Sequence, residues 1–187
     1  METRARQLNH YKGFIEKHPE GGFKTVGWSS QEIQCRAYCS ALGMFGEDGD
    51  ILDVGCGTGD YCDQGIDILH EMIEIARRNN PEGHYQVADI LEYTQKHDYL
   101  MAIGTYNVSI GNAIENWAYM AKVLDKMWGL CRKGIAVNLL MREHNWNRVS
   151  GLEYRSWAEW SQYCFSKLSH NIKLDIVDHT FTLGVFK

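Results

Sequence analysis

A chain of 187 residues, 44% apolar and 23% charged, is long enough to bury one substantial core, and only two prolines and no low-complexity tract argue against long linkers or disorder. The net charge of −5 argues against a nucleic-acid partner, since an acidic surface gains nothing from a polyanion. The opening METRARQLNHYKGF has no apolar signal core, and no apolar run reaches the ~18 residues of a membrane span, so a soluble cytoplasmic protein with no membrane contact is expected.

Cys35, Cys39, Cys56, Cys62, Cys131 and Cys164 contain no C-x-x-C pair, which reads as reduced usage rather than a disulfide framework. The eight histidines are scattered without H-E-x-x-H spacing, and no metal site is expected.

In chain order, SSQEIQCRAYCSALGMF opens with Ser29 and Glu32 in capping-box spacing, followed by Ile33, Ala37, Ala41 and Phe45 at helical intervals. ILDV (51–54) and GIDI (65–68) are short apolar strands flanking a glycine loop. LHEMIEIARRNN (69–80) is an amphipathic helix with Leu69, Met72, Ile73 and Ala76 on one face, stopped at Asn80-Pro81. HYQVADI and DYLMAIGTYN read as a third and a fourth strand. AIENWAYMAKVLDKMWGLC is the strongest helix, its buried stripe expected at Ile114, Trp117, Ala118, Ala121, Leu124, Trp128 and Cys131, with an end at Lys133-Gly134. IAVNLLM is apolar throughout, as a strand covered on both faces should be. YRSWAEWSQYCFSKL is a further helix, and IKLDIVD with TFTLGVF forms a closing hairpin. Strands alternating with helices imply an α/β fold, a Rossmann-like three-layer α/β/α sandwich whose sheet is mostly parallel with an antiparallel C-terminal addition. One domain, 1–187, is expected, with residues 1–46 as a helical segment over the ligand site.

The chemistry concentrates in Asp53-Val-Gly55-Cys-Gly57-Thr-Gly59. Three alternate glycines after a strand let a ligand approach the backbone. The spacing differs from the G-x-G-x-x-G of dinucleotide sites, and an acid two residues before the first glycine suits an ammonium group better than a pyrophosphate. Asp67 ends the next strand, where a carboxylate can accept from both ribose hydroxyls. Asp89 ends the third, where it can accept from an adenine amine while the next N–H serves a ring nitrogen. AIGTYN gives the fourth strand a small-residue mouth. In an open α/β sheet these strand ends share one crevice.

ILDVGCGTGDY, GIDILHEMIEIAR, VADIL and AIGTYN resemble successive motifs of the class I S-adenosylmethionine-dependent methyltransferases. GWSSQEIQCR, IAVNLL and TFTLGVFK are similar to segments of a bacterial and phage subgroup, so the resemblance runs from Val26 to the C-terminus. It implies S-adenosylmethionine as cofactor. Gly55, Gly57 and Gly59 would pack on its methionine and ribose portions, with Asp53 near the ammonium. Asp67 with Ile68 would hold the ribose diol, and Asp89 with Ile90 would bracket the adenine. Gly104 and Thr105 would lie near the methionine end, and Arg36 would pair with the carboxylate. Trp28 and Tyr106 are candidates for flanking the acceptor, although core packing accounts for them as well. If the acceptor arrives protonated, His144, His179 and Glu115 are candidate bases. The N/D-P-P-Y/F segment that marks amino-methylating nucleic-acid enzymes is missing after the fourth strand, and GTYN stands in its place, which weakens a DNA or protein-glutamine acceptor.

Three functions are open at this point: a methyltransferase acting on a small molecule or an unidentified acceptor, a cofactor-binding protein without transfer activity, and a nicotinamide oxidoreductase, the last disfavoured by the glycine spacing. One feature sits badly with the first. Only Asp60 to Gln64 separate the loop from the second strand, whereas a parallel crossover normally takes a dozen or more residues. A missing crossover segment of roughly 10–20 residues is therefore expected between Tyr61 and Gln64, forming a lid over the crevice, with a genuine deletion as the alternative.

Overall fold

The computed structural model describes residues 2–46, 48–144 and 148–187, with side chains from Leu8 onward. The elements are α1 (Glu2–Lys17), α2 (Gln31–Leu42), β1 (Ile51–Val54), β2 (Gln64–Asp67), α3 (His70–Asn79), β3 (His84–Val87), β4 (His97–Ile103), α4 (Ala113–Leu130), β5 (Cys131–Leu140), α5 (Trp157–Lys167), β6 (Asn171–Val177) and β7 (Thr180–Phe186). The seven strands form one sheet in the order β3-β2-β1-β4-β5-β7-β6. Pairs from β3 to β5 are parallel, and β7 runs antiparallel between β5 and β6. The expected three-layer α/β architecture with its C-terminal hairpin is present.

Alternation along the strands assigns the faces. Leu100 and Ala102 of β4, with Ile135 and Val137 of β5, pack against Met120, Val123, Leu124 and Met127 of α4 and Trp160 of α5. Met101, Ile103 and Ala136 point the other way, onto Ala37, Tyr38 and Ala41 of α2. Near the sheet edge, Ile73 and Ala76 of α3 close over Tyr85 and Cys56.

Residues 55–63 join β1 to β2 directly and contain no helix, so the first crossover helix is missing, as expected. The connection closes without a further segment of roughly 10–20 residues, the expectation of one having assumed a return down a full strand. Val54 pairs with Ile66, however, so β2 starts only two residues below the top of β1. That descent is roughly 7 Å, and the nine residues 55–63 could span ~30 Å. The sheet face is covered by other means. Tyr61 stacks on Tyr38 of α2 with centroids 4.1 Å apart and planes at 13°, and Tyr61 and Cys62 both pack against the α2 cluster.

Other departures are local. The N-cap of α2 is Ser30, whose Oγ accepts from Ile33 N, so Ser29 does not make the expected capping box. The buried stripe of α4 is Asn116, Met120, Val123, Leu124, Met127 and Leu130, while Ile114 is 80% exposed. Asn116 is buried because its Oδ1 accepts from Ile110 N and its Nδ2 donates to Ser109 Oγ and Glu153 Oε2. β5 begins at Cys131, so α4 ends before Lys133-Gly134.

Candidate functional site

The C-terminal ends of β1, β2, β3 and β4 open into one crevice. Gly55, Gly57, Asp67, Ile68, Asp89, Ile90 and Gly104 all line it, and Thr105 and Tyr106 continue its wall. Its roof comes from the N-terminal segment: Tyr11 of α1, Val26 and Trp28.

Backbone geometry explains the glycines. Gly55 has φ +76°, and a Cβ there would lie 2.1 Å from Thr105 Cγ2. Gly57, at φ +54°, would meet Val26 Cγ1 at 2.5 Å, and Gly104, at φ +74°, would meet Trp28 Cζ2 at 2.7 Å. A side chain at any of the three is excluded both by backbone conformation and by space. Gly59 serves differently: it lies against Ala76 and Tyr85, outside the crevice lining, and its carbonyl accepts from the Tyr85 hydroxyl.

Two carboxylates organise the loop. Asp67 Oδ2 accepts from Gly57 N at 3.1 Å and Oδ1 from Leu69 N at 2.9 Å, so the acid clamps the glycine loop to the end of β2. Burial lifts its pKa to about 6 despite those donors. Asp53 sits beneath the loop, 1% exposed. Burial pushes its pKa to about 7, the Tyr38 hydroxyl counteracts this by donating to Oδ2 at 3.0 Å, and nearby Asp67 adds to the rise. Asp53 Oδ1 is buried and has no hydrogen-bond partner among the described residues. At the β3 end, Asp89 Oδ1 accepts from Leu91 N at 2.9 Å, turning the chain so that Asp89 and Ile90 border the crevice.

Arg36 stands apart. It is half-exposed on α2 and pairs with Asp178 at 2.8 Å, outside the crevice lining. Glu115 closes the capping box of α4, accepting from Asn112 N at 2.8 Å. Trp28 lines the crevice and a second, adjoining cavity, where His144 and His179 also lie. Tyr11, Gln34, Tyr38 and Tyr119, not singled out in the sequence, and Met72, read there only as a buried helix position, all line the crevice. Gln34 and Tyr38 are one helical turn apart on the buried face of α2, and that spacing was the available signal.

No protein-family model and no curated protein matches this sequence. Solved structures do. Magnesium protoporphyrin IX methyltransferase from Synechocystis, with bound SAM, superposes with a TM-score of 0.68 at 12% identity, over 100% of this chain and 96% of that one. DhpI, in a complex with SAM and HEP, gives 0.68 at 14% identity over 100% and 98%. A possible histamine N-methyltransferase from Thermotoga maritima gives 0.58 at 13% identity over 97% of each.

The chain has the class I S-adenosylmethionine-dependent methyltransferase fold.

Within that methyltransferase fold, the segments that suggested a bacterial and phage subgroup acquire structural roles. Asn138 of IAVNLL donates through Nδ2 to Thr180 Oγ1 at 3.1 Å and to Thr182 Oγ1 of TFTLGVF at 3.0 Å, tying β5 to β7. Trp28 of GWSSQEIQCR closes over Gly104. The subgroup itself rests on these sequence segments alone.

Proposed function

We propose that the protein transfers a methyl group from S-adenosylmethionine to a small-molecule acceptor in the cytoplasm. The observation that carries this reading is the convergence of Gly55, Gly57, Asp67, Asp89 and Gly104 on one crevice of a methyltransferase fold. The residues fit the cofactor. Gly55, Gly57 and Gly104 present bare backbone to the crevice, where a ligand can approach closely, while Thr105, Val26 and Trp28 pack where side chains would otherwise stand. Asp53 lies outside the crevice lining, and its buried Oδ1, with no donor among the described residues, would act on an ammonium group from beneath the loop. Asp67 and Ile68 would take the ribose diol, and Asp89 with Ile90 the adenine. Gly104 and Thr105 would border the methionine portion. Arg36 has no part in this reading, because its guanidinium is engaged by Asp178.

Bound there, the cofactor supplies an electrophilic methyl group on a sulfonium. The chain's own contribution is to hold both reactants in line and exclude water, a positioning effect that can account for ~7–11 kcal/mol of barrier. Tyr11, Val26 and Trp28 supply the cover. That relatives of the fold include enzymes named for porphyrin and histamine methylation supports a small-molecule acceptor.

The second reading, binding without transfer, draws on the helix-free crossover. The crossover nonetheless leaves the loop hydrogen-bonded to β2, with Gly55 N and Cys56 N both donating to Ile66 O, so the binding geometry does not depend on the absent helix. Incubation with S-adenosylmethionine and a panel of hydroxyl- and amine-bearing small molecules separates the two. Acceptor-dependent S-adenosylhomocysteine formation is expected. Tight cofactor binding with no turnover on any acceptor would favour the second reading.

A further inference from the structure

The second cavity shares Tyr11, Val26, Trp28 and Gly104 with the crevice, so the two spaces meet at the Gly104 backbone. Away from that junction its walls are Val108, Leu140, Met141, Val149 and Leu152, with the Tyr154 ring beside them. Its titratable groups, besides the two tyrosines, are three imidazoles, His10, His144 and His179. Among the described residues, no Asp, Glu, Lys or Arg lines it.

We propose that this cavity is the methyl-acceptor site, shaped for an uncharged planar compound bearing a hydroxyl group, and that His179 takes the hydroxyl proton. The proposal rests on the S-adenosylmethionine reading of the adjoining crevice.

Charge selects the class. A carboxylate or ammonium acceptor would give up its hydration on entering and meet no opposite formal charge on the described walls, a costly transfer. A neutral aromatic loses little and gains contact with Trp28, Tyr154 and the aliphatic wall. One polar handle is fixed in place: Asn107 Oδ1 accepts from Leu140 N at 3.0 Å, which orients the side-chain amide and leaves its NH2 as a donor.

Position in the fold selects His179, burial lowering the pKa of His10 in the same cavity as well. His179 lies in the turn between β6 and β7, and its carbonyl accepts from Met141 N at 2.9 Å, so the turn is anchored to the end of β5. Burial lowers its pKa, His144 lowers it further, and Asp178 opposes both. Asp178 is itself held by Arg36 from α2, while His10 and Tyr11 of α1 and Tyr154 face the same cavity. The balance favours a neutral imidazole near pH 7, with a ring nitrogen able to accept a proton. In the transfer, the acceptor oxygen forms a bond to the methyl carbon as the carbon–sulfur bond breaks. The bonding pair stays on sulfur, and the hydroxyl proton passes to His179, which becomes imidazolium and releases it to solvent.

The test uses the full chain with 15N-labelled histidine, the His179 ring signals being assigned by comparison with His179→Gln. S-adenosylhomocysteine is added to saturation, followed separately by 2-naphthol, 2-naphthoate or tyramine. The proposal expects 2-naphthol to bind and move the His179 signals, with the two charged compounds at least about tenfold weaker, as an uncompensated charge requires. Replacing the homocysteine product with S-adenosylmethionine should yield 2-methoxynaphthalene, and His179→Gln should slow that step by roughly 10²-fold or more while naphthol still binds. Equal binding of the charged compounds, unmoved His179 signals, or undiminished methylation by His179→Gln would overturn the proposal. Failure of S-adenosylhomocysteine to bind at all would instead overturn the cofactor reading, so the two failures are distinguishable.

Discussion

The Tyr38 hydroxyl reaches from α2 to donate to Asp53 Oδ2 over 3.0 Å, and both residues are buried. A helix outside the glycine motif thus holds the acid that begins it. Asp53 is left with one donor, one orphaned oxygen and a pKa near 7.

That arrangement fixes a pH dependence. The folded-state pKa of Asp53, about 7, lies above its ordinary 3.8, so between those values the folded protein retains a proton the unfolded chain has lost. Stability therefore falls as pH rises through that window, by about 1.4 kcal/mol for each unit of displacement. Asp53→Asn removes this loss while keeping an oxygen for Tyr38. Thermal melts of the ligand-free protein should show the variant above wild type near pH 8 and level with it near pH 4. A variant that melts lower at the alkaline end would show that Asp53 is not penalised there.

Gly57→Ala should destabilise the protein by roughly 1–3 kcal/mol and damage ligand binding, because φ is +54° and the new methyl would press on Val26. Gly129→Ala in α4 is the contrasting case. A Cβ there meets nothing within 4 Å, and helix propensity alone should stabilise by about 0.5–1 kcal/mol. Urea unfolding of the two variants side by side checks both signs.

Tyr61→Ala should cost more than its exposed surroundings suggest. The stack on Tyr38 is worth about 0.5–1.5 kcal/mol beyond area burial, and the same ring covers sheet that has no crossover helix. Chemical denaturation measures the loss, and hydrogen exchange should localise it to residues around β1 and β2. A loss confined to the Tyr61 segment would mean that the stack does not support the sheet.

Much of the fold was legible because β4 and β5, covered on both faces, read as near-continuous apolar runs. The phase of the α4 stripe was not, since Trp117 and Ile114 made the helix apolar on more than one side and the buried Asn116 is satisfied only by tertiary partners. Within the helical segment expected over 1–46, α1 was not separately delimited and Tyr11 was not placed at the site, because the apolar residues of this stretch are few. In the site, acids and glycines at strand ends could be placed from order alone. Arg36 could not, because Asp178, 142 positions along the chain, decides which way it points. The second cavity was likewise hidden, being assembled from α1, the Trp28 segment, the ends of β4 and β5, and the β6–β7 turn.

The most direct measurement is calorimetric titration of the purified protein with S-adenosylhomocysteine, wild type beside Asp67→Ala. The carboxylate clamps Gly57 N and Leu69 N and stands where the ribose diol is assigned. Saturable one-to-one binding by wild type is predicted, weakened in the variant by about 1–3 kcal/mol for the lost acceptor. Absence of binding by a folded wild-type protein, or equal affinity in the variant, would contradict the account.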